Sequence, residues 1–177
     1  MCRRWVARPR PTPADPPGKV APGLSIQARA LRYLAQRDHS RVELERKLAR
    51  QVEDLPEDPA AAQIARVLDT LTARGLLSEQ RAAEALVGAQ ARRFGGLKLR
   101  QNLRARGVAP EESAAALATV AHSELARAHA LWQRRFGAPA TDAAGRAKQA
   151  RFLAGRGFGG DVIRRVVQGL GEDIDND

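Results

Sequence analysis

Arginine is the residue type through which this chain can do chemistry. Of its 30 basic side chains 26 are arginine, and several stand in matched places. Arg92 and Arg93 open the tetrapeptide Arg92-Arg93-Phe94-Gly95, and Arg134 and Arg135 open its copy at Arg134–Gly137. Arg100 and Arg104 are four apart with Lys98 beside them, a spacing that puts them on one helix face. Arg164 and Arg165 lie on the last helical stretch. A guanidinium is always charged and offers a fixed fork of donors, so such a series makes a track for phosphates, each contact adding salt-dependent affinity. Taken singly, each arginine is explained better by helix C-terminal charge and surface solvation. The recurrence is what argues for binding.

Other chemistry is looked for and not found. No Gly-x-x-x-x-Gly-Lys loop is present to cradle phosphates, and no Gly-x-Ser-x-Gly elbow to expose a nucleophile. His122 and His129 are seven apart, a spacing compatible with one helix face, but no further ligand at metal-binding spacing accompanies them. Cys2 is the only cysteine, which excludes an internal disulfide and a multi-cysteine zinc cage. The carboxylates fall in loops and first helical turns, where capping accounts for them. The reading is of a non-enzyme with no cofactor and no metal.

Those arginines must be positioned by helices. Aromatics make up only 4% of the chain, so a core has to rest on Leu, Val, Ile and Ala, and Leu and Ala are strong helix formers. Ile26, Ala30, Leu31 and Leu34 recur at helical spacing. Ser40 heads a second helix as a capping box with Glu43, and Leu44 and Leu48 line its buried side. Asp58-Pro59 supplies the start of a third helix, with Ile64, Val67, Leu68 and Leu71 as its stripe and Arg74-Gly75 as its stop. The plan repeats with helices near 78–93, 96–106 and 110–120, then near 122–136, 141–155 and 159–170. Leu125, Ala128, Trp132 and Phe136 form one apolar face of the third set. Leu103-Arg104-Ala105-Arg106-Gly107-Val108 and Leu153-Ala154-Gly155-Arg156-Gly157-Phe158 close the matching second helices. Phe94-Gly95-Gly96 and Phe158-Gly159-Gly160 fall at different places in the repeat and are read as local turn chemistry.

The expected organisation is therefore all-α: a Pro/Arg-rich tail at 1–24, three-helix units at 25–77, 78–121 and 122–170, and an acidic tail at 171–177. Units that cannot bury their faces alone do so against neighbours, which makes an extended array. Charge follows the same division. Residues 25–77 carry nine basic and eight acidic side chains, whereas residues 78–170 carry sixteen and seven. A net charge of +10, with its excess in the N-terminal tail and in the second and third units, suits a polyanion. No apolar run approaches the roughly 20 residues that span a bilayer, and the basic N-terminus has no apolar stretch after it to make a secretory signal. A cytoplasmic protein is expected.

Three segments carry a likeness to a known family: Ala30–Leu48, Arg92–Val108 and Arg151–Phe158 followed by Asp161-Val162-Ile163. In this series and order the chain resembles RecX, the bacterial regulatory family that modulates the RecA recombinase. The resemblance implies three tandem three-helix units in an extended, curved molecule. It further implies a monomer without catalysis that binds RecA–DNA filaments and touches neighbouring protomers. Filament growth, strand exchange, ATP hydrolysis and co-protease activity would thereby be limited, in DNA repair, recombination and the SOS response. Single- and double-stranded DNA would be bound without strong sequence preference. The chain departs from the family's pattern at Ser78-Glu79-Gln80-Arg81-Ala82, which has one acid and no aromatic, and in the first unit, which lacks the Arg-Gly closure after its second helix and carries an acidic insertion instead. An alternative reading is a transcription regulator using one unit as a helix-turn-helix; a purely protein-binding helical adaptor is a third.

Overall fold

The computed structural model describes residues 24–52 and 58–169. Among them the chain forms nine helices: α1 (Ile26–Leu34), α2 (Arg41–Ala49), α3 (Ala60–Ala73), α4 (Glu79–Gln90), α5 (Gly96–Ala105), α6 (Pro110–Ala121), α7 (Glu124–Phe136), α8 (Ala143–Ala154) and α9 (Gly160–Val167). The expected tails, apart from Leu24, and residues 53–57 of the acidic loop lie outside the described residues.

Local chemistry sets most helix starts. Ser25, Ser40 and Ser78 each accept from the amide three residues on, at 3.2, 3.1 and 3.2 Å, and Asp142 does the same for Gly145 at 2.6 Å. Pro110 opens α6 with Glu111 and Glu112 behind it, acids facing the positive end of the dipole. Two expected caps are different. Glu43 does not return to Ser40; its carboxylate pairs with Arg37, Lys47 and Arg106 and lies 3.5 Å from His39. Asp58 does not cap α3 either, because its carboxylate is held by Arg66 at 2.6 and 2.7 Å, and Pro59 occupies the N-cap position.

Three separate cores result. Ala30, Leu44, Leu48, Ile64, Leu68, Leu71 and Leu77 form the first, from α1–α3. Ala83, Leu86, Val87, Ala91, Leu99, Leu103, Val108, Ala116 and Leu117 form the second, from α4–α6 and the turns between them. Ala128, Trp132, Leu153, Phe158, Val166 and Val167 form the third, from α7–α9. In each unit the last helix packs across the first two. Trp132 is thus a core residue, and Phe136 packs edge-on against Phe152 with centroids 5.2 Å apart. Leu31 leaves the expected stripe and stays 37% exposed. α6 ends at Ala121 and α7 begins at Glu124, so His122 and His129 do not share a helix face.

The two Arg-Arg-Phe-Gly copies end differently. In the third unit Arg134 and Arg135 are inside α7, and Gly137 stops it at φ +77°. In the second unit α4 ends at Gln90, short of the expected residue 93, and Arg92 and Arg93 lie in a turn. The cause is external to α4: the guanidinium of Arg127, from α7, donates to the Ala91 and Phe94 carbonyls at 2.6 and 3.0 Å.

Candidate polyanion-binding surface and the joints that position it

Successive units are joined by one repeated contact. The start of the second helix of one unit meets the turn after the second helix of the next. Between the first two units, the Ser40 hydroxyl donates to the Arg106 carbonyl, and Val42 lies against Gly107, where any Cβ would stand 2.5 Å from the Val42 Cβ. Between the second and third, the Gly95 amide donates to the Arg156 carbonyl and the Leu97 amide to the Gly157 carbonyl, both at 3.0 Å. Gly157 has φ +78° and its missing Cβ would be 2.5 Å from the Lys98 backbone nitrogen; Gly107 has φ +73°. Both demands, positive φ and close approach, leave only glycine. The two Phe-Gly-Gly turns, assigned to different places in the repeat, meet here in space.

A carboxylate crosses each joint at the same place. Glu79, first residue of α4, accepts from the Arg41 amide, which is the first of α2. Glu124, first residue of α7, accepts from the Gly96 amide, the first of α5, at 2.8 Å. The second and third units therefore each supply an acceptor for the first amide of the preceding unit's second helix. Burial, with Glu112 close by, raises the Glu79 pKa against the opposing bond from Arg41. Arg127 also donates to the Val120 carbonyl at 3.0 Å and to the Ser123 hydroxyl at 3.2 Å; burial lowers its pKa. In the first unit, burial together with Lys47 and Arg37 lowers the pKa of His39 to about 4, and its ring is 1% exposed.

On this scaffold the expected basic residues separate into distinct settings. Arg92 and Arg134, the first arginines of the two tetrapeptide copies, line one groove at the joint of the second and third units. Arg93 and Arg135, the second arginines, each lie beside their own Phe, at 5.6 and 5.8 Å from the ring centroids. Arg100 and Arg104 line a groove between α5 and α6 with Val108, Pro110, Ser113 and Ala114. Lys98 turns its ammonium to Gln101 at 2.8 Å. Arg164 is ion-paired with Asp161 and lines a third groove with Arg146; Arg165 is exposed. Among the described residues, Arg92, Arg93, Arg100, Arg104, Arg134, Arg135 and Arg165 make no ion pair.

Sequence reasoning missed Arg127, Glu79 and Glu124. The signal for the two acids was present, since Ser78-Glu79 and Ser123-Glu124 open matching helices. Arg127 had none, because its partners in the second unit, Ala91, Phe94 and Val120, are reached through backbone carbonyls.

These features define a class: tandem three-helix units, interlocked by backbone contacts, presenting unpaired guanidiniums in shallow grooves. Family models agree with that division, matching residues 78–117 as the second three-helix domain of RecX and residues 122–167 as the third. Over 156 residues the chain is 46% identical to the regulatory protein RecX of Leptothrix cholodnii, covering 88% of this chain and 96% of that one. It is 42% identical over 153 residues to that of Ralstonia nicotianae, covering 86% and 92%. The chain belongs to the RecX family. The crystal structure of RecX from Lactobacillus salivarius shares the fold with a TM-score of 0.66 at 19% identity, over 82% of this chain and 94% of that one. Among the described residues no helix is long and apolar enough to cross a membrane.

Proposed function

We propose that this protein is a non-enzymatic regulator that binds RecA–DNA filaments and limits RecA's recombinase, ATPase and co-protease activities. The observation that carries the reading is the arrangement of guanidiniums without carboxylate partners on units locked to one another by backbone contacts. A series of fixed basic grooves suits a periodic polyanionic partner, because contacts made together gain from effective concentration. The name of its relatives, regulatory protein RecX, supports the same class of role. In this reading the chain acts as a monomer in the cytoplasm, and DNA without strong sequence preference is part of the surface it binds.

The helix-turn-helix alternative fits less well. A recognition helix reads bases with its N-terminal residues; α3 begins with Ala60-Ala61-Ala62, which carry no base-reading group, α6 with Pro110-Glu111-Glu112, and α9 with Gly160-Asp161. Those carboxylates would enter a groove walled by phosphates. The test is RecA's DNA-dependent ATPase titrated with the protein. Inhibition at substoichiometric amounts is expected, weakened when Arg100 and Arg104 are both changed to Ala. Absence of any effect on filament growth or ATP hydrolysis by the wild type defeats the proposal.

A further inference from the structure

The groove at the joint of the second and third units has a lining that a phosphate track does not require. It encloses about 510 Å³ between Arg92, from the turn after α4, and Arg127, His129, Ala130, Gln133 and Arg134 of α7. The N–H groups of Arg127 are committed to the Ala91, Phe94 and Val120 carbonyls and to Ser123, so its alkyl stem is what remains for a ligand. Ala130 adds a methyl group. The His129 ring lies 5.5 Å from the ring of Trp132, tilted by 32°. Trp132 is only 3% exposed, so His129 is backed by the core and offers a supported flat face. Arg92 and Arg134, which have no carboxylate partner, stand at the same groove.

An isolated phosphate has no use for such a wall, and a duplex keeps its base faces stacked on one another. An unstacked nucleotide uses both parts: its base lies on the ring and the aliphatic stems, and its phosphate meets the guanidiniums. We propose that this groove is a seat for one nucleotide of single-stranded nucleic acid. The inference rests on the polyanion-binding reading above and adds to it a place and a demand for the base. It also accounts for the doubled tetrapeptide. The first arginine of each copy converges on the seat, while the second lies beside its own Phe.

The test is fluorescence anisotropy of the full chain with three labelled probes: oligothymidylate, an abasic strand of the same length, and a duplex. Stacking of one base predicts tighter binding of oligothymidylate than of the abasic strand by at least about five-fold. His129→Ala should abolish that preference and leave the salt dependence intact. Changing Arg92 and Arg134 to Ala should weaken both strands alike and lower the salt slope by about 1.4, as two lost single-strand phosphate contacts require. Because the His129 ring packs against Trp132 of the core, Ala130→Glu serves as a second variant. It places a carboxylate on an exposed position of the groove and should also remove the preference. Equal binding of the wild type to oligothymidylate and the abasic strand overturns the proposal, as does a preference that survives both His129→Ala and Ala130→Glu. If polyglutamate displaces oligothymidylate as readily as a second oligothymidylate does, the groove takes acidic polypeptide and the proposal also fails. Inhibition of the recombinase ATPase by the wild type, measured alongside, separates this failure from failure of the filament-binding reading.

Discussion

Replacing Gly95 by alanine tests whether the joint between the second and third units is as close as its geometry says. Gly95 has φ −82° and ψ 172°, a conformation alanine adopts freely, so backbone strain at this residue plays no part. The added methyl would stand 2.4 Å from the Gly157 carbonyl oxygen and 2.5 Å from the Phe158 nitrogen and Cα. These are backbone atoms and cannot rotate away, so the two units must part by about 1 Å to restore ordinary contact. That displacement takes the Gly95–Arg156 and Leu97–Gly157 hydrogen bonds, both 3.0 Å, out of range. Two net bonds are worth about 1–3 kcal/mol. Residual overpacking adds about 1–2 kcal/mol. The expected loss is about 2–5 kcal/mol, read in two ways. Urea unfolding followed by circular dichroism should show a lower midpoint, and hydrogen exchange of the Leu97 amide should accelerate at least about thirty-fold. Gly88→Ala is the control: Gly88 is exposed within α4, with nothing within 4 Å of the added carbon. It should gain about 0.5–1 kcal/mol from helix propensity. An unchanged midpoint for Gly95→Ala with Leu97 still protected would refute the reasoning.

Further outcomes follow from the same joints. Arg127→Lys should cost about 2–3 kcal/mol in urea unfolding, because a point charge cannot serve the three carbonyls that the planar fork reaches; stability equal to the wild type would contradict the staple. Glu79→Gln keeps an acceptor for the Arg41 amide and removes a carboxylate that burial and Glu112 disfavour. It should therefore be neutral or stabilising at pH 7, whereas Glu79→Ala should destabilise. His39 has its folded pKa depressed from 6.5 to about 4, so the unfolded chain binds the extra proton between those values. Stability from this group is complete above about pH 6.5 and declines as pH falls towards 4, by no more than about 3 kcal/mol. His39→Gln should flatten that part of the urea-midpoint profile, and nuclear magnetic resonance titration of the ring should show it neutral at pH 5.5. In the recombinase ATPase assay, the double change of Arg100 and Arg104 to Ala should raise the amount of protein needed for half-inhibition several-fold and leave the urea midpoint unchanged, since both side chains are exposed.

Much of this protein was decided along the chain itself. Apolar residues at three- and four-residue spacing, serines before the helices, Pro110 and the Arg-Gly turns are local signals, acting within one or two helical turns, and they place nine helices in three sets. The basic side chains belong to the composition, and the family likeness lies in motifs a few residues long. What tertiary structure decided are the contacts between units, because most of them have on one side a backbone group that carries no sequence identity. Arg127 ends α4 early by taking the Ala91 and Phe94 carbonyls, and no residue near Ala91 announces it. Gly95 and Gly137 end identical tetrapeptides, yet one is pressed against the next unit and the other stops a helix. Only packing of the second unit on the third brings Arg92 and Arg134 to one groove, although 41 intervening residues separate them. Local free energies chose the helices; close approach of backbones, possible only where side chains are missing, chose which arginines stand together.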